Sequence, residues 1–426
     1  MNFRFAAKAA FVVVCAVAFP THASDTLTLR DAFQRVADTH PDLRLFSPRR
    51  DALEAELERA SLRPALFGGV EVENVLGSGA ASGVSGAEVT LTLASVLERG
   101  GKLDARRVLA QSRIDTLAVE REGRRLDLLA EVARRYLAVV AAQHQGAIAR
   151  MDIEQRDRTV TAARRRHEAG ASPEAVVLTA EAAAARARLE LARAAQAEMA
   201  ARQHLAALWG ERSPTFQVAG GDPLALPEIA DFAELAAWLQ RTPELAQFVD
   251  ERRVREARLQ LARSEAIPDL NWQVGVRRMS DDNDFGLIGS VSIPFGTRGR
   301  AQPGIRAAQA ELAGLEIERE AAGLSLYSTL AEAHGRFEVA RLEAQRLGED
   351  VLPRLAKAEA AAATAYRAGA ASYLEWSSLQ AEHAAARQQQ LAAALEAQRA
   401  LIEIQRLTGQ AFVAGPGLQH NQGATP

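Results

Sequence analysis

The feature that most restricts how this chain can fold is an internal repeat with a period near 200 residues. His40-Pro41-Asp42-Leu43 returns as Thr242-Pro243-Glu244-Leu245, with the prolines 202 residues apart. Pro64-Ala65-Leu66 returns as Pro268-Asp269-Leu270 at an offset of 204. Ala169-Gly170-Ala171-Ser172 returns as Ala368-Gly369-Ala370-Ala371-Ser372, with the glycines 199 apart. Three landmarks at nearly one offset describe two copies of one plan, so the architecture must use that unit twice.

In each copy a charged helix, 51–60 or 251–263, precedes two stretches of alternation. Val70 and Val72 oppose Glu71 and Glu73, and Val89, Leu91 and Leu93 oppose Glu88, Thr90 and Thr92. In the second copy Trp272, Val274 and Val276 oppose Asn271, Gln273 and Arg277, while Val291, Ile293 and Phe295 oppose Ser290 and Ser292. Period two marks strands with two unlike faces. It predicts strands near 68–76, 87–97, 270–279 and 286–295, joined by polar loops at 77–86 and 280–284.

A helical composition then runs from 102 to 208, interrupted at Gly170-Ala171-Ser172-Pro173, and again from 303 to 407, interrupted at Gly369. In the first copy the longer arm would reach roughly 100 Å at 1.5 Å per residue, far beyond ordinary globular helices. Leu178, Ala182, Ala185, Leu189, Ala192 and Met199 follow a coiled-coil spacing with small side chains between the large ones. Aromatics are only 5% of a chain that is 48% hydrophobic, which favours long, closely packed alanine-rich helices over a bulky core.

The division that follows is a signal peptide at 1–23, a first repeat at 24–210, a connector at 211–230, a second repeat at 231–410 and a disordered tail at 411–426. Cys15, the sole cysteine, falls in the signal, so the exported chain has no disulfide, thiolate nucleophile or cysteine-based metal site. Val12-Val13-Val14 before it lacks the small residue that acylation of that cysteine needs. The net charge is −3 with the two signs interspersed, which excludes a nucleic-acid partner.

No stretch beyond residue 24 is apolar enough for a membrane helix, so a membrane role falls to the strands. Four such strands cannot close a barrel, since closure starts at about eight. Two chains would barely close and three would leave an aqueous interior. Glu71, Glu73, Glu88, Thr90, Thr92, Asn271, Gln273, Arg277, Ser290 and Ser292 would then face water and the apolar partners lipid. Alternation alone favours a soluble sandwich or a sheet packed on helices over the barrel. The export signal, the membrane-spanning strand length and the coiled-coil hairpins favour the barrel.

With these residues in hand, the chain resembles the TolC-like outer-membrane efflux channels of tripartite pumps, closest to the cobalt/zinc/cadmium (CzcC-type) branch. The resemblance is carried by Glu71-Val72-Glu73-Asn74, by the segment from Val96-Leu97-Glu98 to Arg99-Gly100-Gly101-Lys102, by Leu205-Ala206-Ala207-Leu208-Trp209-Gly210, by Ser172-Pro173, and by Tyr366-Arg367-Ala368-Gly369 with Tyr373-Leu374-Glu375. It departs from the branch in a shorter first tip and in the turn Gly296-Thr297-Arg298-Gly299-Arg300.

The fold implied is mainly α with a membrane β-barrel part, in two repeats of helix, two strands and a long coiled-coil hairpin. As a homotrimer it would make a 12-stranded barrel in outer-membrane lipid above a periplasmic helical tunnel. The partners implied are a periplasmic membrane-fusion adaptor and a proton-driven inner-membrane RND-type exporter; the cargo implied is divalent heavy-metal cations. Drugs or other organic compounds are the alternative cargo, and a periplasmic coiled-coil scaffold the alternative function.

Candidate functional residues gather at three places. The hairpin tips, Gly170, Ala171 and Ser172 with Gly369, Ala370, Ala371 and Ser372, are small enough to admit an adaptor helix, although any helical hairpin needs a glycine corner. Tyr366, Arg367 and Glu375 are placed to bridge protomers at the periplasmic entrance, although a solvated helix face accounts for such charges equally well. Glu71, Glu73, Glu88, Thr90, Thr92, Gln273 and Arg277 line the barrel lumen. His144, His167, His204, His334 and His383 are widely spaced, and no pair of them sits at i, i+3 or i+4 with a carboxylate partner to make a ligand set, so no metal site is expected. No nucleophile motif, acid pair or phosphate-cradling loop stands out, so neither catalysis nor a cofactor is expected.

Overall fold

The computed structural model describes residues 26–412 except 80, 81, 85 and 280–283. The signal peptide with Cys15, nearly all of the tail at 411–426 and all but the last residue of the loop at 280–284 lie outside the described residues.

A short strand β1 (Thr26–Leu27) leads into helices α1 (Leu29–Thr39), α2 (Pro41–Arg44) and α3 (Phe46–Ala60). Strands β2 (Phe67–Glu73) and β3 (Glu88–Leu97) follow, then the hairpin of α4 (Lys102–Glu168) and α5 (Glu174–Ala206). The plan then recurs: β4 (Gln217–Val218) and α6 (Phe232–Trp238), α7 (Pro243–Ser264), strands β5 (Leu270–Met279) and β6 (Asp284–Ser292), and helices α8 (Thr297–Arg346), α9 (Leu352–Ala368) and α10 (Tyr373–Thr408). No helix among the described residues is long and apolar enough to cross a membrane.

Four strands form one antiparallel sheet in the order β2-β3-β5-β6, so the two repeats meet at the central β3–β5 pair. Its register sorts the side chains by chemistry. Glu71, Thr90 and Arg277 share one row and Glu73 and Glu88 the next, with Thr92 and Gln273 on the same face. The other face carries Val70, Val72, Val89, Leu91, Val274, Val276, Leu287 and Val291. That apolar face is uncovered: Val70 is 71% exposed, Leu91 57% and Leu287 88%. Within the chain the sheet has two open edges, β2 and β6.

Where β3 turns into α4, Gly100 and Gly101 both adopt positive φ, and a Cβ at Gly100 would stand 2.7 Å from the Ile267 side chain. The joint is held by Lys102–Asp269 at 2.7 Å and by a bidentate Arg106–Glu98 pair.

The α4–α5 hairpin departs from the expected seam. Val177, Ala180, Ala184, Ala187 and Ala194 are buried along it, as are Leu205 and Ala206 at the end of α5. Leu178, Ala182, Ala185, Leu189, Ala192 and Met199, the stripe that the spacing singled out, are all exposed. Two stripes run along one helix; the alanine-rich one turns inward because small side chains let the backbones approach, and the larger Leu/Met stripe is left outside. In the second copy the long helix is not continuous either. A π turn at Leu347–Val351 precedes Pro353, which has no N–H to give the helix ladder, and the Gln390 amide donates to the nearby Ala344 carbonyl at 3.3 Å.

Midway along the helical body two apolar clusters anchor the hairpins. One packs α1, β1 and β4 on α4 around Val132, Tyr136 and Leu205; the other packs α6 on α8 and α10 around Phe337, Leu330 and Ile404. The Tyr136 hydroxyl lies 2.6 Å from the Ala219 carbonyl, and burial pushes its pKa up to about 12.

Candidate functional site

The two hairpin tips share one turn chemistry. The Gly170 N–H donates to the His167 carbonyl and the Ala171 N–H to that of Arg166, both at 2.8 Å, with Gly170 at φ +71°. The Gly369 N–H donates to Tyr366 at 3.1 Å and the Ala370 N–H to Ala365 at 2.9 Å, with Gly369 at φ +83°. This is the Schellman arrangement in both, and it requires a left-handed residue at the corner. The exits differ. Pro173 starts α5 without a side-chain cap, whereas Ser372 and Glu375 form a reciprocal capping box on α10.

The tips lie side by side although 199 residues separate their glycines. Arg166, at the end of α4, donates to the Tyr366 carbonyl on α9, and its guanidinium sits 4.8 Å from the centre of the Tyr366 ring. Tyr366 is buried and packs on Trp376, with ring centres 5.2 Å apart. Tyr373 packs on the cluster of Val160, Ala163, Val177 and Ala180, tying α10 to the first hairpin.

Tyr366, Arg367 and Glu375 are the residues expected either to bridge protomers at the periplasmic entrance or to form a solvated helix face. The structure gives Tyr366 an intrachain role and commits Glu375 to its cap, where hydrogen bonds from the Ser372 backbone and side chain hold its carboxyl below the usual range. Arg367 is exposed and, among the described residues, donates within its own helix, to the Ala363 carbonyl and the Thr364 hydroxyl. Gly170, Ala171, Gly369, Ala370 and Ser372 are exposed and Ser172 and Ala371 half-buried, forming a small-residue end face flanked by Leu374, which is 75% exposed.

Arg166 belongs to no sequence motif, because a contact between hairpins leaves no periodic trace, and Trp376 meets Tyr366 across the second hairpin, from partners ten residues apart on opposite arms. His383 meets a carboxylate far from it in sequence and not at helical spacing. Its carboxylate partner, Glu359, is on the opposite arm of the hairpin at 2.7 Å, both side chains being buried. Among the described residues no group of three or more His, Cys, Asp or Glu stands close enough to hold a metal ion.

On the sheet, Arg277 ties three strands together. It reaches Glu73 on β2 and Glu88 on β3, each at 2.9 Å, and the fully buried Thr90 hydroxyl at 3.0 Å. Glu73 and Glu88 are directly opposed across the strands, a like-charge pairing that destabilises a sheet unless a cation stands between them. The resulting surface has one polar, hydrogen-bonded face and one bare apolar face.

The outer membrane efflux protein family model matches residues 32–211 and 235–410, one match for each repeat. The chain belongs to this family. It is 30% identical over 357 residues to the cobalt-zinc-cadmium resistance protein CzcC of Cupriavidus metallidurans, a match that covers 84% of each protein. The fold is that of a membrane protein from Pseudomonas aeruginosa, with a TM-score of 0.74, 19% identity and 92% of both chains covered. It is also that of CusC, with a TM-score of 0.74, 18% identity, and 90% of this chain and 92% of that one covered. This outer membrane efflux protein is therefore an outer-membrane channel subunit whose two family repeats each contribute half of the sheet and one hairpin.

Proposed function

We propose that three copies of this efflux protein join their sheets edge to edge into a 12-stranded barrel in outer-membrane lipid. Their hairpins would form a periplasmic tunnel, making a passive exit duct for cargo delivered by an inner-membrane RND-type exporter through a periplasmic adaptor. The observation that carries this is the open sheet: an uncovered apolar face with two unpaired edges is tolerated in lipid only when the edges close. The exposed Leu178–Leu189–Met199 stripe on α5 supports it, since a second seam calls for a second helix.

The tips, Gly170 to Ser172 and Gly369 to Ser372, are the adaptor-docking surface on this reading, and Arg367 remains available to a neighbouring protomer. The cargo is divalent heavy-metal cations, supported by the resistance protein CzcC as a relative over most of the chain.

Purified protein is expected to run as a trimer in detergent and to conduct in planar bilayers. Monomers that leave the bilayer silent would refute the channel. A deletion strain is expected to become sensitive to zinc, cobalt and cadmium; sensitivity to dyes alone would move the cargo to organic compounds. Ala171→Trp with Ala371→Trp is expected to keep conductance and abolish resistance, and retained resistance would remove the docking role of the tips.

A further inference from the structure

We infer that the rim where the barrel meets its helices is a collar of unpaired arginines that selects anionic phospholipid headgroups from the periplasmic leaflet of the outer membrane. The inference rests on the trimeric barrel proposed above and adds to it the class of lipid that the barrel recruits.

The rim follows from connectivity. α3 and α7 lead into β2 and β5, while β3 and β6 lead into α4 and α8, so all four joints between helix and strand stand at one end of the sheet. The apolar face runs down to that end, where Leu97 and Leu270 pair in its last row and Trp272 and Val291 pair in the row above. Exposed apolar side chains continue into the joints themselves: Leu62 at 63%, Leu66 at 65% and Phe295 at 91%. The band that would meet hydrocarbon ends here.

Charge at this level is out of balance. Within the joints, residues 58–66, 98–106, 263–269 and 293–300, Lys102 is committed to Asp269 and Arg106 to Glu98. Beyond those pairs stand Arg59 and Arg63 ahead of β2, Arg99 after β3, Arg263 ahead of β5, and Arg298 and Arg300 after β6. All six are exposed, and among the described residues none has a side-chain hydrogen bond or ion pair. Glu58, Asp104 and Glu265 offset half of them, which leaves a surplus of three positive charges in a chain whose net charge is −3. Further from the sheet the pattern differs even on one helix: Arg252, Arg255 and Arg258 of α7 each pair with a glutamate of α8.

An exposed guanidinium without a carboxylate is by default a solvated group. Here six of them lie at the edge of an apolar band, the level at which water gives way to lipid headgroups, and a long side chain reaches that layer from below. The planar guanidinium matches phosphate oxygens two at a time. Twelve strands spaced about 4.8 Å and tilted about 40° give a circumference of about 75 Å. The surplus of a trimer then amounts to one charge per about 8 Å, about one Debye length. Such a ring acts as a continuous positive edge and favours a net-negative headgroup over a zwitterionic one that carries the same phosphate.

Quenching of Trp272 by dibrominated lipids tests this. Trp272 lies on the apolar face near the rim, whereas Trp209 and Trp238 pack on the mid-body clusters and Trp376 lies near the tips. In protein reconstituted into phosphatidylcholine, dibrominated phosphatidylglycerol is expected to bind beside Trp272 about fivefold or more tightly than dibrominated phosphatidylcholine, fivefold being the effect of one arginine at an anionic surface. The preference should fall close to unity in Arg63→Gln/Arg99→Gln/Arg298→Gln/Arg300→Gln. It should persist in Arg150→Gln/Arg158→Gln/Arg165→Gln/Arg186→Gln, which removes as many charges from α4 and α5. In the wild-type protein, whose behaviour decides the matter if the rim variant does not assemble, it should weaken severalfold at about 1 M salt, where the screening length is about 3 Å. Millimolar inorganic phosphate should leave it intact; displacement by phosphate would make the rim a site for the free ion and overturn the lipid assignment. Equal quenching by the two lipids, or a preference that survives in the rim variant or at high salt, overturns the inference and leaves the barrel standing. No quenching by either lipid overturns the barrel reading and this inference with it.

Discussion

Arg166 shows how much one side chain outside any sequence motif can do. It joins the first hairpin to the second through a backbone carbonyl and a ring face, so Arg166→Ala is expected to loosen the tips by about 1–2 kcal/mol. Hydrogen exchange should then quicken for amides 366–376 while β5 keeps its protection. Beside it, the buried Tyr366 hydroxyl has no partner among the described residues, so Tyr366→Phe should be neutral or stabilising by up to about 1 kcal/mol in a thermal melt. At mid-body, burial raises the Glu403 carboxyl, but Arg406 and Arg134 outweigh it and hold the group below the usual range. A depressed folded pKa contributes stability above the unfolded value, about 4.3, and loses it as pH falls through the folded one. The Tm of the wild-type protein should therefore drop below about pH 4.5, and Glu403→Gln should lower Tm at pH 7 while flattening that acid limb.

At the scale of elements, the strands are legible because period two is a local property. The alternation of Val70, Glu71, Val72 and Glu73 needs no knowledge of the neighbours, and the β2–β3–β5 register places those faces as the alternation requires. What local pattern omits is close approach between strands. A Cβ at Gly275 would lie 2.5 Å from the Leu91 carbonyl, so Gly275→Val should prevent trimer assembly while far-ultraviolet circular dichroism keeps its helical signal. The α5 stripe is the opposite lesson. Heptad spacing identifies Leu178, Leu189 and Met199 as a seam without saying which partner it serves, and within the chain the alanine stripe has taken the inner position.

For the whole molecule, that exposed stripe and the open sheet make the same demand. Leu178→Gln, Leu189→Gln and Met199→Gln together should shift the detergent-solubilised protein from trimer towards monomer, since each removed apolar contact is worth roughly 1–3 kcal/mol. Because these side chains are exposed in the single chain, its melting should change little. Loss of folding together with loss of the trimer would instead place the stripe in the core of the subunit.

The amino-acid sequence by itself determined the duplication, the two-faced strands, the glycine corners and the helical hairpins, because each depends on residues close together in the chain or on recurrence of the same residues. Tertiary structure alone decided that Arg166 meets Tyr366, that Glu359 meets His383, that Arg277 separates Glu73 from Glu88, and which of two stripes on α5 is buried. Those outcomes turn on how closely backbones approach and how hairpins align, and many residues separate the partners.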